Sequence, residues 1–83
     1  MKITLKCFAY LSQYLPEEAT SNVIAYEVGN DTNVQQVIDL LNLDNDMVEL
    51  AILNDVFIDP NMRAQTQLKE GDILALWPEV AGG

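Results

Sequence analysis

The chain has 83 residues, room for one domain with a small core, and 49% of them are hydrophobic, too many for a disordered segment. Thirteen acids against four bases give a net charge of −9, which makes nucleic acid a poor partner and a basic protein surface a natural one. There is no histidine and one cysteine, Cys7, so Cys–His and Ser–His–Asp nucleophiles, the usual Cys/His zinc sites and an internal disulfide are all excluded within the chain.

Residues 2–8 alternate, with Ile3, Leu5 and Cys7 on one face and Lys2, Thr4, Lys6 and Phe8 on the other, which predicts a strand with one buried face. Leu11, Tyr14 and Leu15 then follow at i, i+3, i+4, the spacing of a short helical turn that ends at Pro16. Residues 22–28 predict a second strand, antiparallel to the first, and Gly29-Asn30-Asp31 a turn.

Thr32 is a candidate N-cap, with Gln35 completing a capping box, and Val34, Val37, Ile38 and Leu41 repeat at i, i+3, i+4, i+7. This pattern predicts a helix over 33–42 whose apolar stripe must cover a sheet. Residues 48–53 suit a third strand, Asn54-Asp55 a turn and 56–58 a short fourth strand. Residues 61–69 read as an irregular connection, Glu70-Gly71-Asp72 as a turn and 73–77 as a fifth strand. Asp44, Asp46 and Glu49 lack the spacing and the glycine of a calcium loop and read as a solvated loop.

The order β-β-α-β-β-β predicts an α+β fold: a mixed sheet of about five strands packed on one main helix, the layout of the ubiquitin-like β-grasp. The expected division is a folded domain over 1–77 and a flexible tail over 78–83. No apolar run is long enough to span a membrane as a helix and no secretion signal is evident, so the expected location is the cytoplasm.

After Trp77 the chain reads Pro78-Glu79-Val80-Ala81-Gly82-Gly83. Pro78 cannot donate to a sheet ladder, and six residues reach roughly 20 Å at about 3.3 Å each. A tip of two glycines fits a narrow tunnel in a partner and presents the Gly83 carboxylate there as a substrate. That carboxylate is a poor electrophile and needs activation, for instance by adenylation. The chain has no phosphate-binding glycine motif, so an enzyme using Mg-ATP must supply the activation, and no cofactor is expected to be bound by the chain itself.

The pieces Phe8-Ala9-Tyr10-Leu11 with Leu15, Thr32-Asn33-Val34, Leu53-Asn54, and Leu68-Lys69-Glu70-Gly71-Asp72 followed by Trp77-Pro78-Glu79-Val80-Ala81-Gly82-Gly83 occur in an order that resembles the MoaD/ThiS sulfur carriers, in particular the small subunit of molybdopterin synthase. The likeness runs through the whole chain and includes the family's "F-A-x-L…L" opening and its "L-x-D-G-D-x-V…F-P-P-V-x-G-G" ending. Glu79 stands where the family has a second proline, Ala81 precedes the glycines as in thiamine carriers, and Ser12 replaces a frequent basic residue.

The resemblance implies a cycle in which a ubiquitin-activating-type adenylyltransferase activates Gly83 and a sulfur donor converts it to a thiocarboxylate. The tail, Val80 to Gly83, then enters the large synthase subunit and delivers sulfur to a pterin precursor. It also implies that Phe8, Phe57, Trp77 and Pro78 contact these partners, while Cys7 belongs to the core. The chain would be a carrier subunit without catalytic residues of its own. Sulfur carriage for thiamine, thiolated tRNA or a tungsten-pterin pathway, conjugation to lysines as a ubiquitin-like modifier, and a passive binding module remain as alternatives.

Overall fold

The computed structural model describes residues 1–79. Its strands are β1 (Lys2–Cys7), β2 (Val23–Glu27), β3 (Leu50–Leu53), β4 (Val56–Phe57) and β5 (Ile73–Trp77), with one α-helix, α1 (Val34–Leu40). They form one five-stranded sheet in the order β2-β1-β5-β3-β4. The central pair, β1 and β5, is parallel, and the β1–β2, β3–β5 and β3–β4 pairs are antiparallel. This is the mixed β-grasp sheet that the element order predicts.

Alternation sets what each strand buries. Ile3, Leu5 and Cys7 of β1, Leu74 and Leu76 of β5 and Ala51 of β3 turn inward and are at most 1% exposed. Val34, Val37, Ile38 and Leu41 meet them from the helix side, as their spacing requires. Leu11, Leu43, Val48 and Leu68 close the core from the connections.

Two local expectations are corrected. The helix is capped by Asn33, not Thr32: the Asn33 side chain accepts from the Gln36 backbone N–H at 2.8 Å, and the Gln36 side chain accepts from the Asn33 N–H at 2.8 Å. The cap moves because the chain at 66–68 pairs with the helix entrance. The Thr32 carbonyl accepts from the Leu68 N–H, the Val34 N–H donates to the Thr66 carbonyl, and Thr32 is buried ahead of the helix. Asn also caps at least as well as Thr.

The second correction concerns 61–69. Pro60–Gln65 form a 3-10 helix, opened by Asp59, whose carboxylate accepts from the Asn61 N–H at 2.8 Å. This turn places Arg63, wholly buried, under the polar loop before β3. Its guanidinium donates to Asn45 Oδ1 at 2.8 Å and to the Val48 carbonyl at 2.9 Å, while Nε has no partner among the described residues. Further 3-10 turns cover Ala9–Tyr14 and Asn45–Met47.

Candidate functional site

The parallel register of β1 and β5 builds the most distinctive surface feature. Cys7 is level with Leu76, and both point into the core. The next residue on each strand therefore points outward, and the Phe8 N–H donates to the Leu76 carbonyl at 3.0 Å, which holds the pairing one residue further. Phe8 and Trp77 consequently stack, with ring centroids 3.8 Å apart and planes 9° from parallel. Such a pair contributes about 0.5–1.5 kcal/mol beyond the area it buries. Trp77 nevertheless stays 36% exposed.

The antiparallel registers extend this surface across the sheet. Leu50 lies opposite Trp77, and Ile52 lies opposite both Ala75 and Phe57. Leu50, Phe57 and Ile73 are all exposed. Phe8, Trp77, Ala75, Ile73 and Ile52 floor a shallow depression of about 480 Å³, with Lys6 on one rim and Asp55 on the other. An apolar strip of this kind on a small acidic domain is the form a docking surface takes.

Phe57 belongs to the same sheet face but not to the stack. It lines a second depression of about 360 Å³ together with Leu50, Pro60 and Arg63, with Leu50 and Ile52 between it and the Phe8–Trp77 pair. Pro78, expected on the contact surface, continues the inward series Leu74, Leu76 and is buried. Its physical role is to close the sheet: the neighbouring strand makes its last contact when the Glu49 N–H donates to the Trp77 carbonyl at 2.9 Å. Val80, Ala81, Gly82 and Gly83, the expected reactive tail, lie outside the described residues.

Cys7 is wholly buried and burial pushes its thiol up to about 11, so at neutral pH it is a protonated core side chain. That removes it as a nucleophile. Burial also lowers Arg63 from its ordinary value, opposed by the nearby charges of Glu49 and Asp59. Sequence reasoning missed Arg63. Its one signal is that it is the sole arginine of an acidic chain, and no periodicity marks it. Leu50 and Ile52 were equally hidden, because a short apolar run does not reveal which of its residues face outward.

The sequence profile of the ThiS family matches residues 14–83. The chain belongs to the ThiS family, the MoaD/ThiS sulfur carriers. No curated protein matches it in sequence. Among solved structures, it is similar in fold to a chain from the complex of subunits 1 and 2 of the molybdopterin-converting factor from Helicobacter pylori, at 24% identity and a TM-score of 0.61, covering 100% of both chains. It is likewise similar to SAMP1 from Haloferax volcanii, at 22% identity and a TM-score of 0.68, covering 100% of both chains. Urm1 from Trypanosoma brucei shares 15% identity at a TM-score of 0.66, over 99% of this chain and 95% of that one. Across these similar structures the fold of one mixed sheet and its helix recurs.

Proposed function

We propose that this chain is the sulfur-carrying small subunit of a molybdopterin synthase. In this reading residues 1–77 are the folded body and 78–83 the tail, whose first residue, Pro78, is itself buried at the end of the sheet. An adenylyltransferase of the ubiquitin-activating type brings Mg-ATP, and a Gly83 carboxylate oxygen attacks the α-phosphorus, releasing pyrophosphate. Sulfide then attacks the acyl carbon and AMP leaves with the bonding electrons, so that Gly83 ends in a thiocarboxylate. Gly82, Ala81 and Val80 carry that group into the large synthase subunit, where a catalyst supplied by the partner transfers sulfur to a pterin precursor.

The observation that carries this reading is the exposed Phe8–Trp77 stack at the end of β5, the strand from which the chain continues to Gly83. In this reading a partner that grips the aromatic pair also holds the strand that leads into residues 78–83. Family membership supports sulfur carriage. The likeness to a converting-factor chain solved with its second subunit supports a large-subunit partner. The likeness to SAMP1 supports a second reading, conjugation of Gly83 to lysines of other proteins.

Intact mass distinguishes them. The full chain ending at Gly83 is incubated with the adenylyltransferase encoded in the same genome, Mg-ATP and sulfide. A gain of about 16 Da on the C-terminal peptide, absent from a Gly83-deleted form, is the expected exchange of oxygen for sulfur after acyl activation. Adding the large subunit and the pterin precursor should reverse the gain. A stable thiocarboxylate that the large subunit does not consume, together with lysine adducts in cell extract, would replace the synthase reading with the modifier one.

A further inference from the structure

Three of the four basic residues face outward, because Arg63 is buried. Two of the three sit beside carboxylates. Lys2 lies opposite Glu27 across the β1–β2 ladder, and Lys69 adjoins Glu70, with the Asp72 carboxylate accepting from the Lys69 backbone N–H at 2.8 Å. Lys6 differs. Its cross-strand neighbours are Val23 and Ala75, and its same-face neighbours along β1 are Thr4 and Phe8. None of the three lysines makes an ion pair among the described residues, so what distinguishes Lys6 is the absence of a carboxylate from its neighbours on the ladder. Among the described residues, Lys6 is thus the lysine with uncharged neighbours on both sides of its ladder, and it lines the apolar depression.

We propose that Lys6 meets a carboxylate side chain of a protein partner whose apolar anchor seats against Phe8 and Trp77. The inference rests on the carrier reading above and adds the chemistry of the partner. When an anchor covers the depression, water leaves the rim, and an ammonium without a counter-charge there opposes association. A carboxylate at that point turns the cost into attraction and fixes orientation. Asp55 lines the same depression from the β3–β4 turn, so the matching surface has a carboxylate on one side of its anchor and a cation on the other. A second copy of this chain is the weaker occupant, because each copy carries −9 and the two repel.

The test measures ATP–pyrophosphate exchange by the same-genome adenylyltransferase as the concentration of carrier is varied. Lys6→Gln should raise KM about fivefold and Lys6→Glu at least about tenfold, with kcat unchanged at saturation. Lys6→Arg should return KM to within about twofold of wild type, and Lys69→Gln, which removes the same charge elsewhere, should stay within about twofold. The wild-type KM should rise with salt more steeply than that of Lys6→Gln. Trp77 fluorescence checks that each variant is folded. If Lys6→Gln matches Lys69→Gln while wild type exchanges normally, the Lys6 inference is wrong and the carrier reading stands. If wild type supports no exchange with an enzyme active on another carrier, both fall. A wild-type dimer that Lys6→Glu abolishes would assign the face to self-association instead.

Discussion

Replacing Arg63 tests whether a buried cation is the fastener between the 3-10 turn Pro60–Gln65 and the loop that feeds β3. The guanidinium makes two hydrogen bonds, to Asn45 Oδ1 and to the Val48 carbonyl, and it is fully enclosed. A charge-assisted bond is worth roughly 1.5–3 kcal/mol, and the buried stem adds about 0.8 kcal/mol per methylene. Removing the charge also removes its desolvation penalty, several kcal/mol, which cancels much of that gain. What remains in Arg63→Ala is a cavity and a buried Val48 carbonyl without a donor, a net loss of roughly 3 kcal/mol. In a domain this small, a loss of that size lowers Tm by roughly 15 °C. Arg63→Met fills the cavity and should recover about half of the loss. Urea unfolding followed by the fluorescence of Trp77, the sole tryptophan, reads both stability and the environment of the Phe8–Trp77 stack. Because the Glu49 N–H, next to Val48, bonds the Trp77 carbonyl, the native emission of Arg63→Ala should also shift toward the red. An Arg63→Met variant at least as stable as wild type would refute the fastener, since it would mean that the ion's burial costs more than its bonds return.

Two further substitutions follow from other features of the fold. The Cys7 thiol is pushed from 9.0 to about 11 in the folded state by burial, so above pH 9 the unfolded chain releases this proton while the folded chain retains it. Stability is therefore intact below pH 9 and falls as pH rises through 11, by roughly 2–3 kcal/mol in full. Urea midpoints across that window, taken as wild type minus Cys7→Ala, should show the fall, and a flat difference would contradict it. Ala9 turns the chain directly after Phe8 at φ 51°, in the left-handed region, with its side chain exposed. Ala9→Gly relieves roughly 1–2 kcal/mol of backbone strain against about 0.4–1 kcal/mol of added unfolded-state freedom. A gain of about 0.5 kcal/mol in thermal unfolding is expected, and a loss of that size would show that Ala9 is not strained.

The five strands and the helix are legible in the sequence because burial writes a period into it. Ile3, Leu5 and Cys7 mark a strand, and Val34, Val37, Ile38 and Leu41 mark a helix, whatever packs against them. The cap was misplaced by one residue for a reason no local window contains: Thr32 is occupied by its pairing with Leu68, 36 positions away in the chain, so capping passes to Asn33. Arg63 is hidden in the same way, since nothing near it in sequence announces Asn45 or Val48. The outward aromatic face lies between these cases. Phe8 and Trp77 each follow an inward residue, so alternation alone turns both outward, and the adjacency of first and last strands in a β-grasp brings them together. Phe57 satisfies neither condition. Its strand has two residues, too few for alternation to fix a face, and its outer-edge place beyond β3 keeps it off the stack. The same sheet geometry makes Lys6 meaningful: its isolation from carboxylates is a property of the β1–β2 and β1–β5 registers, because Val23 and Ala75, not Glu27 or Asp72, fall beside it. A one-residue slip in either register would turn the Lys6 side of the strand into the core and destroy stack and rim together. The face is therefore as well determined as the core that fixes the register.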